Sequence, residues 1–266
     1  MGGSVSQTVP TALILGASSG FGEAAAREFA AHGYGVAGVH LDRAAGLAHV
    51  AEIVAALEAH GRPARFFNAN AADPDKRREI VAALSAELAP GSVRVLMHSL
   101  AFGTLRPFVA ADEKEALNQR QLEMTLDVMA NSLVYWAQDL VRAGLMGKGG
   151  RIYAMTSAGD HLVWKAYGAV SAAKVALEAY VRQLAVELAP LGVTANAIKA
   201  GVTDTPALRK IPGNDVMIEG AKARNPAGRL TTPEDVARCL VALSEPGTDW
   251  LTGNVLNVDG GEDIAG

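Results

Sequence analysis

The sequence predicts an α/β fold: one parallel, doubly wound sheet of seven strands with helices on both faces. Three observations lead there. Short apolar runs alternate with longer segments of helical spacing from Ala12 to Val258. The first run, Ala12-Leu-Ile-Leu15, passes directly into Gly16-Ala-Ser-Ser-Gly20-Phe-Gly22 and then into a helical segment, Glu23 to His32, closed by Gly33. The chain has 266 residues, 50% of them hydrophobic, enough for one sizeable core, whereas two domains would each be very small.

The remaining elements follow in order. Val36 to Leu41 reads as a second strand and Asp42 to His60 as a helix broken by Gly61-Arg-Pro63. Arg65-Phe-Phe67 opens a third strand that ends in Asn68-Ala-Asn70. Asp73 to Leu88 is a helix with Asp73 as its cap and Pro74 at its first position. Val93 to His98 is a fourth strand, and a long helical stretch, Glu113 to Ala143, comes after Ser99-Leu-Ala-Phe-Gly103. Gly150 to Met155 is the fifth strand, a helix starts at Tyr167, and Thr194 to Ile198 is the sixth strand. Residues 201–228 are rich in Gly, Pro and Asn and carry no clear period. Thr232-Pro-Glu-Asp235 opens a further helix with a capping pattern, and Asn254 to Val258 closes the sheet. No repeat or linker divides the chain, so a single domain is expected over 11–266, after a flexible leader at 1–10.

Composition excludes several classes of function. The net charge is −4 and no basic stripe stands out, which argues against a nucleic-acid partner. The single cysteine, Cys239, rules out an internal disulfide and a cysteine metal cluster, and fits a reducing cytosol. No apolar run approaches ~20 residues, so no membrane span is expected. Residues 1–9 lack a signal peptide's apolar region. Met1-Gly-Gly-Ser-Val-Ser6 fits the N-myristoylation pattern, but that pattern is short and common, and a leader is the better reading. A cytoplasmic protein without a metal is expected.

Two places carry chemistry. Glycines between a strand and a helix let the backbone approach a pyrophosphate, which the free N–H groups and dipole of the helix N-terminus then hold. The competing reading, a tight β–α turn, loses to the context. The second place is Tyr167-Gly-Ala-Val-Ser-Ala-Ala-Lys174. Seven helical positions make nearly two turns, which puts Tyr167 and Lys174 on one face ~10 Å apart along the axis. An ammonium beside a phenol favours its ionisation, so the phenol can give up a proton or hold a developing oxyanion. Taken alone, that window would be a surface helix; the cofactor site gives the pair something to act on.

Gly16-Ala-Ser-Ser-Gly-Phe-Gly22, Asn196-Ala-Ile198 and Gly253-Asn-Val-Leu-Asn-Val-Asp-Gly-Gly261 together resemble the short-chain dehydrogenase/reductase family across about Thr11 to Gly261. The resemblance implies a Rossmann fold and a nicotinamide cofactor. The departures from the family pattern share one direction. The usual Tyr-x3-Lys spacing would put the tyrosine at Val170; the nearest phenol is Tyr167, a Tyr-x6-Lys spacing similar to that of the enoyl-acyl-carrier-protein reductases. His98-Ser-Leu-Ala-Phe-Gly103 replaces the usual Asn-Asn-Ala-Gly, Ala200-Gly201 replaces Pro-Gly, and Met129 stands where the family's catalytic asparagine is expected. Reduction of an enoyl thioester tolerates these changes. Hydride goes to the β-carbon, charge gathers on the thioester oxygen as an enolate that a hydroxyl must hold, and the α-carbon is protonated afterwards.

The resemblance also implies roles. Lys174 would hold the nicotinamide ribose hydroxyls, and Ser157 would help polarise the substrate carbonyl or serve only structurally. Gly16, Ser18, Ser19, Gly20, Phe21 and Gly22 would cradle the pyrophosphate. Asn70 and Ala71 would contact the adenine, Ser99 and Gly201 would border the cofactor, and Thr203 would reach the pyrophosphate or carboxamide from a mobile lid at 201–228. His40 stands where an NAD-specific relative has an acid, and Arg43 could reach a 2′-phosphate, while Asp42 argues the other way. NADPH is favoured, with NADH as the alternative. Tyr153 and Tyr180 read as packing residues, and His98 as a satisfied core histidine. A homotetramer is implied through helices 113–143 and 167–189, whose alanine-rich stretch Val175 to Val186 would allow close contact. The substrate implied is an acyl thioester, on acyl carrier protein or coenzyme A, in fatty-acid or polyketide-type synthesis. Two other readings stay open: a carbonyl reductase using Tyr167, and an inactive nucleotide-binding homologue.

Overall fold

A computed structural model describes residues 9–265. The leader expected at 1–10 lies mostly outside the described residues, and the acylation pattern at 1–6 wholly so. Seven strands form one sheet: β1 (Thr11–Leu15), β2 (Gly35–His40), β3 (Ala64–Asn68), β4 (Val93–His98), β5 (Arg151–Ser157), β6 (Thr194–Ala200) and β7 (Val255–Val258). Their order is β3-β2-β1-β4-β5-β6-β7, and every pairing is parallel. The chain winds outward one way from β1 and the other way from β4. That reversal opens a crevice at the carboxyl ends of these two strands, where Leu15 pairs with both Val39 and His98.

Both faces are covered, and β1 shows why its run is uniformly apolar. Ala12 and Ile14 enter the core beneath α1 (Gly20–Ala31), α2 (Leu47–Glu58) and α8 (Pro233–Ala242). Leu13 and Leu15 enter the opposite core, beneath α3 (Pro74–Glu87), α5 (Ser132–Arg142) and α6 (Gly168–Leu188), with α4 (Gln119–Leu126) at its edge. A parallel strand with helices on both sides has no polar face to display. Trp136 lies wholly within this second core, and its indole N–H donates to the Ala71 carbonyl at 2.8 Å, which fixes the loop after β3.

Local chemistry sets the helix ends. Asp73 accepts from the backbone N–H groups of Asp75 at 2.9 Å and Lys76 at 3.1 Å, with Pro74 next, a cap worth about 1 kcal/mol. Thr232 and Asp235 form a reciprocal capping box at α8.

Three expectations are corrected. The stretch 113–143 is not one helix: residues 113–118 form turns, and α4 begins only at Gln119. There Asn118 Oδ1 accepts from the Gln121 N–H at 2.9 Å and Gln121 Oε1 accepts from the Asn118 N–H at 3.1 Å, a box that ends the helix on its N-terminal side. A π-helical turn, Asp127–Asn131, then separates α4 from α5. Residues 201–228 are not irregular throughout: they hold one tight turn, Leu208–Lys210, and α7 (Asn214–Arg224). Within α7 only Ala221 is buried, so no apolar period could announce it. The helix expected from Asp42 starts at Leu47, after a single tight turn at Ala44–Gly46.

Candidate active site

The glycine turn is shaped by close backbone approaches. Gly16 has φ +89°, and a Cβ there would strike the Ser99 carbonyl oxygen; a Cβ at Gly22 would strike the Gly16 carbonyl oxygen. The turn after β1 is thus wedged between the end of β4 and the first turn of α1. Ser19 precedes α1 in extended conformation and makes no side-chain cap, so the helix presents free N–H groups to an anion. Gly16, Ser18, Ser19, Gly20 and Phe21 line a cavity of 1130 Å³. Gly22 does not line it; it lies buried beneath the turn, where its missing side chain lets α1 close on β1.

At the end of β2, His40 is buried, and its Nδ1 lies 2.9 Å from Asp42 Oδ2. Asn68 holds the Asp42 backbone from both sides, accepting from its N–H at 3.1 Å and donating to its carbonyl at 3.0 Å. The acid that argued for NADH is therefore engaged with His40 and lies off the cavity wall, whereas Arg43 is exposed and on it. Asn70 and Ala71 also line the cavity; Asn70 Oδ1 accepts from the Ala72 N–H at 3.0 Å, which orients the amide.

At the other end, Tyr167 is not part of its helix. Ala166 takes a left-handed conformation at φ 62°, the only non-glycine residue to do so among those described, and Tyr167 stands before the first residue of α6. The position of the phenol is thus set by this turn and not by helical periodicity. A Cβ at Gly159 would lie 2.6 Å from Tyr167 Cε1 and 3.2 Å from Ser157 Oγ, so ring and hydroxyl flank the same glycine. Burial pushes the Tyr167 phenol up, and the adjacent Ser157 hydroxyl pulls it partly back. No hydrogen bond of normal geometry reaches Ser157 Oγ among the described residues, although that oxygen is buried. Lys174 is buried, donates from Nζ to the Met155 carbonyl at 2.6 Å, and is pushed down to about 8 by burial, with Glu178 opposing. Tyr167, Ser157 and Lys174 all line the cavity, as do Ser99, Gly201 and Thr203. The Thr203 hydroxyl donates to the Gly201 carbonyl at 2.9 Å.

Beside Lys174 the wall is apolar. A Cβ at Gly103 would come within 2.9 Å of Met129 Sδ and 2.8 Å of Val170 Cγ2 and Thr125 Cγ2, so the loop after β4 lies directly on this plug. His98 sits behind it, fully buried. Its Nε2–H donates to Ser132 Oγ at 2.9 Å, because the Ser132 hydroxyl is itself committed to the Val128 carbonyl at 2.8 Å. Nδ1 is without a partner among the described residues, so the expectation of a satisfied core histidine holds for only one nitrogen. Burial, with the Lys174 charge adding to it, pushes His98 down to about 3, so the ring is neutral. Tyr153 bonds Ser244 at 3.2 Å and Tyr180 donates to Asn131 at 2.9 Å; neither lines the cavity.

The segment after β6 closes the cavity with Leu208, Ile211, Val216 and Met217, opposite Phe102 and Leu105. Trp164 Nε1 donates to the Pro212 carbonyl at 3.1 Å and ties this segment to the turn before Tyr167. These residues fit a dinucleotide along the glycine turn and a largely apolar molecule under the segment. Sequence reasoning missed a polar cluster behind Lys174, made of Asp160, His161, Glu178, Lys199 and Asp263. The one signal for it was Glu178, four residues after Lys174 and so on the same helix face.

Comparison with known proteins supplies the lineage. The family described as Enoyl-(Acyl carrier protein) reductase matches residues 16–262. A 1-cyclohexenylcarbonyl-CoA reductase from Streptomyces collinus is 33% identical over 56% of this chain and 53% of its own, so the match spans about half of that relative's length. An L-rhamnose 1-dehydrogenase (NAD(P)(+)) from Azotobacter vinelandii is 30% identical over 94% of this chain and 95% of its own. The solved enoyl-[acyl-carrier-protein] reductase (NADH) from Aquifex aeolicus superposes with a TM-score of 0.83 at 26% identity, over 97% of both chains. The chain belongs to the short-chain dehydrogenase/reductase family, in its enoyl-(acyl carrier protein) reductase-like division.

Proposed function

We propose that this protein reduces the C=C bond of an enoyl thioester with NADPH. The observation that carries the reading is that Tyr167 and buried Lys174 line one cavity on whose wall Val170 and Met129 offer no proton. The reduced nicotinamide supplies the hydride. Lys174 would hold the ribose hydroxyls and, while charged, lower the cost of negative charge nearby. Tyr167 would donate to the thioester oxygen as it becomes an enolate, with Ser157 Oγ as a second donor. Gly16, Ser18, Ser19, Gly20 and Phe21 would hold the pyrophosphate, Asn70 and Ala71 the adenine, and Arg43 the 2′-phosphate. Ser99, Gly201 and Thr203 would border the nicotinamide. The apolar chamber under residues 201–228 would take the acyl chain, delivered on acyl carrier protein or coenzyme A. The enzyme would work in the cytoplasm as a homotetramer; a stable monomer in sedimentation at micromolar concentration would exclude that assembly.

The test is incubation with NADPH and crotonyl thioester, followed by the absorbance of the reduced nicotinamide. Tyr167→Phe keeps the ring and should lower turnover by ~10²-fold or more while NADPH affinity holds. Near-parent turnover would remove Tyr167 from the mechanism. A second reading, carbonyl reduction, is favoured by one observation: relatives matched along nearly their whole length include a sugar dehydrogenase and a hydroxycyclohexanecarboxylate dehydrogenase. Oxidation of sugars or alcohols with NADP, without crotonyl turnover, would select it.

A further inference from the structure

The segment that closes the cavity, 201–228, is fastened to the rest of the molecule at two places of different kinds. Its far end is pinned at Asn225, which is buried and whose amide donates to the Asp259 carbonyl at 2.9 Å. Before that point, residues 204–224 bond among themselves: Arg209 to Asp204, Leu208 to Thr205, Asn214 to Ile211. Among the described residues, one hydrogen bond joins 204–224 to an element outside the segment. Trp164 Nε1 donates to the Pro212 carbonyl at 3.1 Å. The rest of the hold is apolar, through Leu208 and Ile211, while α7 buries only Ala221.

Trp164 also opens the turn that places the phenol. The Tyr167 N–H donates to the Trp164 carbonyl at 3.2 Å, which closes Trp164-Lys165-Ala166-Tyr167 into a turn with Ala166, at φ 62°, in its third position. Glycine usually takes that position when φ is positive, and an alanine keeps such a conformation only where its surroundings hold it. On the far side, the Tyr167 carbonyl accepts from the Ser171 N–H at 2.9 Å, which ties it to the 21 residues of α6. The ring rests on Gly159, where a Cβ would come within 2.6 Å of Cε1. The remaining restraint on the turn is the indole of Trp164. Its N–H reaches Pro212, and its ring lies against Gly213, where a Cβ would sit 3.5 Å from Cζ2. Gly213 has φ 78° and precedes α7, so the indole meets the segment at the junction between its tight turn and its helix.

We propose that Trp164 is a positioning residue that couples the seating of segment 201–228 to the place of the Tyr167 hydroxyl. When the segment lifts, the indole loses Pro212, the turn loses the restraint that keeps Ala166 left-handed, and the phenol leaves its seat on Gly159 beside Ser157. When an apolar substrate draws the segment down, the Trp164–Pro212 bond forms and the phenol returns to the cavity wall. Closure and alignment of the donor are then one event, and the donor is in place only once the segment has covered the substrate. Trp164 carries no proton; it acts through the ring of Tyr167. The coupling rests on Tyr167 as the donor, as proposed above, and is the same whether the substrate is an enoyl thioester or a carbonyl.

Two measurements on the whole protein test it. The first needs no turnover. Protein made with 3-fluorotyrosine carries five fluorine labels, and Tyr167→Phe identifies the Tyr167 line in the fluorine NMR spectrum. Trp164→Phe, which keeps a ring and removes the N–H, should shift that line and leave the other four in place. Gly213→Ala, which strains the segment at φ 78° without touching Tyr167, should shift it too. A Tyr167 line that stays where it was in either variant overturns the coupling. The second measurement is kinetic. Trp164→Phe should lower kcat about 10-fold with NADPH affinity intact, and should have no further effect once Tyr167 is Phe, because it acts through that hydroxyl. An indole that merely lined the cavity would raise KM and add its loss to that of Tyr167→Phe, so additive losses also overturn the proposal. Near-parent turnover in Tyr167→Phe would instead sink the donor reading, and a Tyr167 line that follows Trp164 and Gly213 would then leave the coupling standing.

Discussion

The two ends of the cavity are built in opposite ways. Around the glycine turn the wall is largely backbone: Gly16 and Gly20 at positive φ, free helix N–H groups, and Gly22 beneath them giving α1 its close approach. Around Tyr167 the wall is side chains: a buried lysine, a half-buried tyrosine and serine, and an apolar plug. A backbone wall is fixed by which positions lack a side chain, and so it tolerates almost no change at them. A side-chain wall is fixed by packing from several separate elements. Single substitutions there that spare Lys174 should alter chemistry while leaving cofactor binding intact.

The largest effect should come from the backbone end. Gly22→Ala drives a Cβ into the Gly16 carbonyl, an atom that cannot move aside, so nicotinamide binding should be lost together with folded stability. Calorimetry showing parent-like NADPH affinity would break the contrast.

At the side-chain end, pH should separate catalysis from stability. Lys174 is depressed to about 8 from 10.5, so the folded protein binds this proton less tightly than the unfolded chain. Its charge therefore opposes folding below about 8, and that opposition fades as pH rises from about 8 to 10.5. Turnover that needs the charged form should fall over the same range in which the Lys174 contribution to stability improves. Thermal melts of the cofactor-free protein against Lys174→Met, compared across that range, isolate this contribution; parallel pH curves for the two would contradict it.

A smaller effect is expected where the two ends differ least, at exposed Arg43. Arg43→Ala should weaken NADPH by about 10-fold, the scale of one charge-assisted pair, and leave NADH nearly unchanged. Equal losses for both cofactors would remove Arg43 from the choice.

The same contrast explains what could be read from the chain. The glycine turn was legible because Gly16, Gly20 and Gly22 act through their own backbone, at fixed spacing in a strand–turn–helix context. The seven parallel strands and the two-sided core followed from apolar runs alternating with helical segments. Tyr167 stood out by its spacing from Lys174, but its placement was not legible. Its reach depends on the left-handed turn at Ala166, and no alanine announces such a turn. The His40–Asp42 pair, which decides what Arg43 faces, depends on Asn68 from another strand. The cluster behind Lys174 gathers residues from α6, the turn after β5, β6 and the stretch after β7, up to 103 positions apart by number (160 to 263), and no local pattern could assemble it.

The π-helical turn at Asp127–Asn131 has a consequence for how this chain can change length. Such a turn holds one more residue than an α-turn, so it works as an insertion the helix has absorbed without breaking. Met129, in its middle, owes its place against Gly103 to that surplus residue. Deleting one residue here would let the helix relax to regular winding and rotate everything on the α4 side by about 100° relative to α5. Met124, on α4, would leave the cavity wall, while Trp136 and its hold on Ala71 could stay where they are. Shortening this helix by a single residue would thus recut the apolar chamber and spare the glycine turn, a way for substrate preference to drift without disturbing the cofactor.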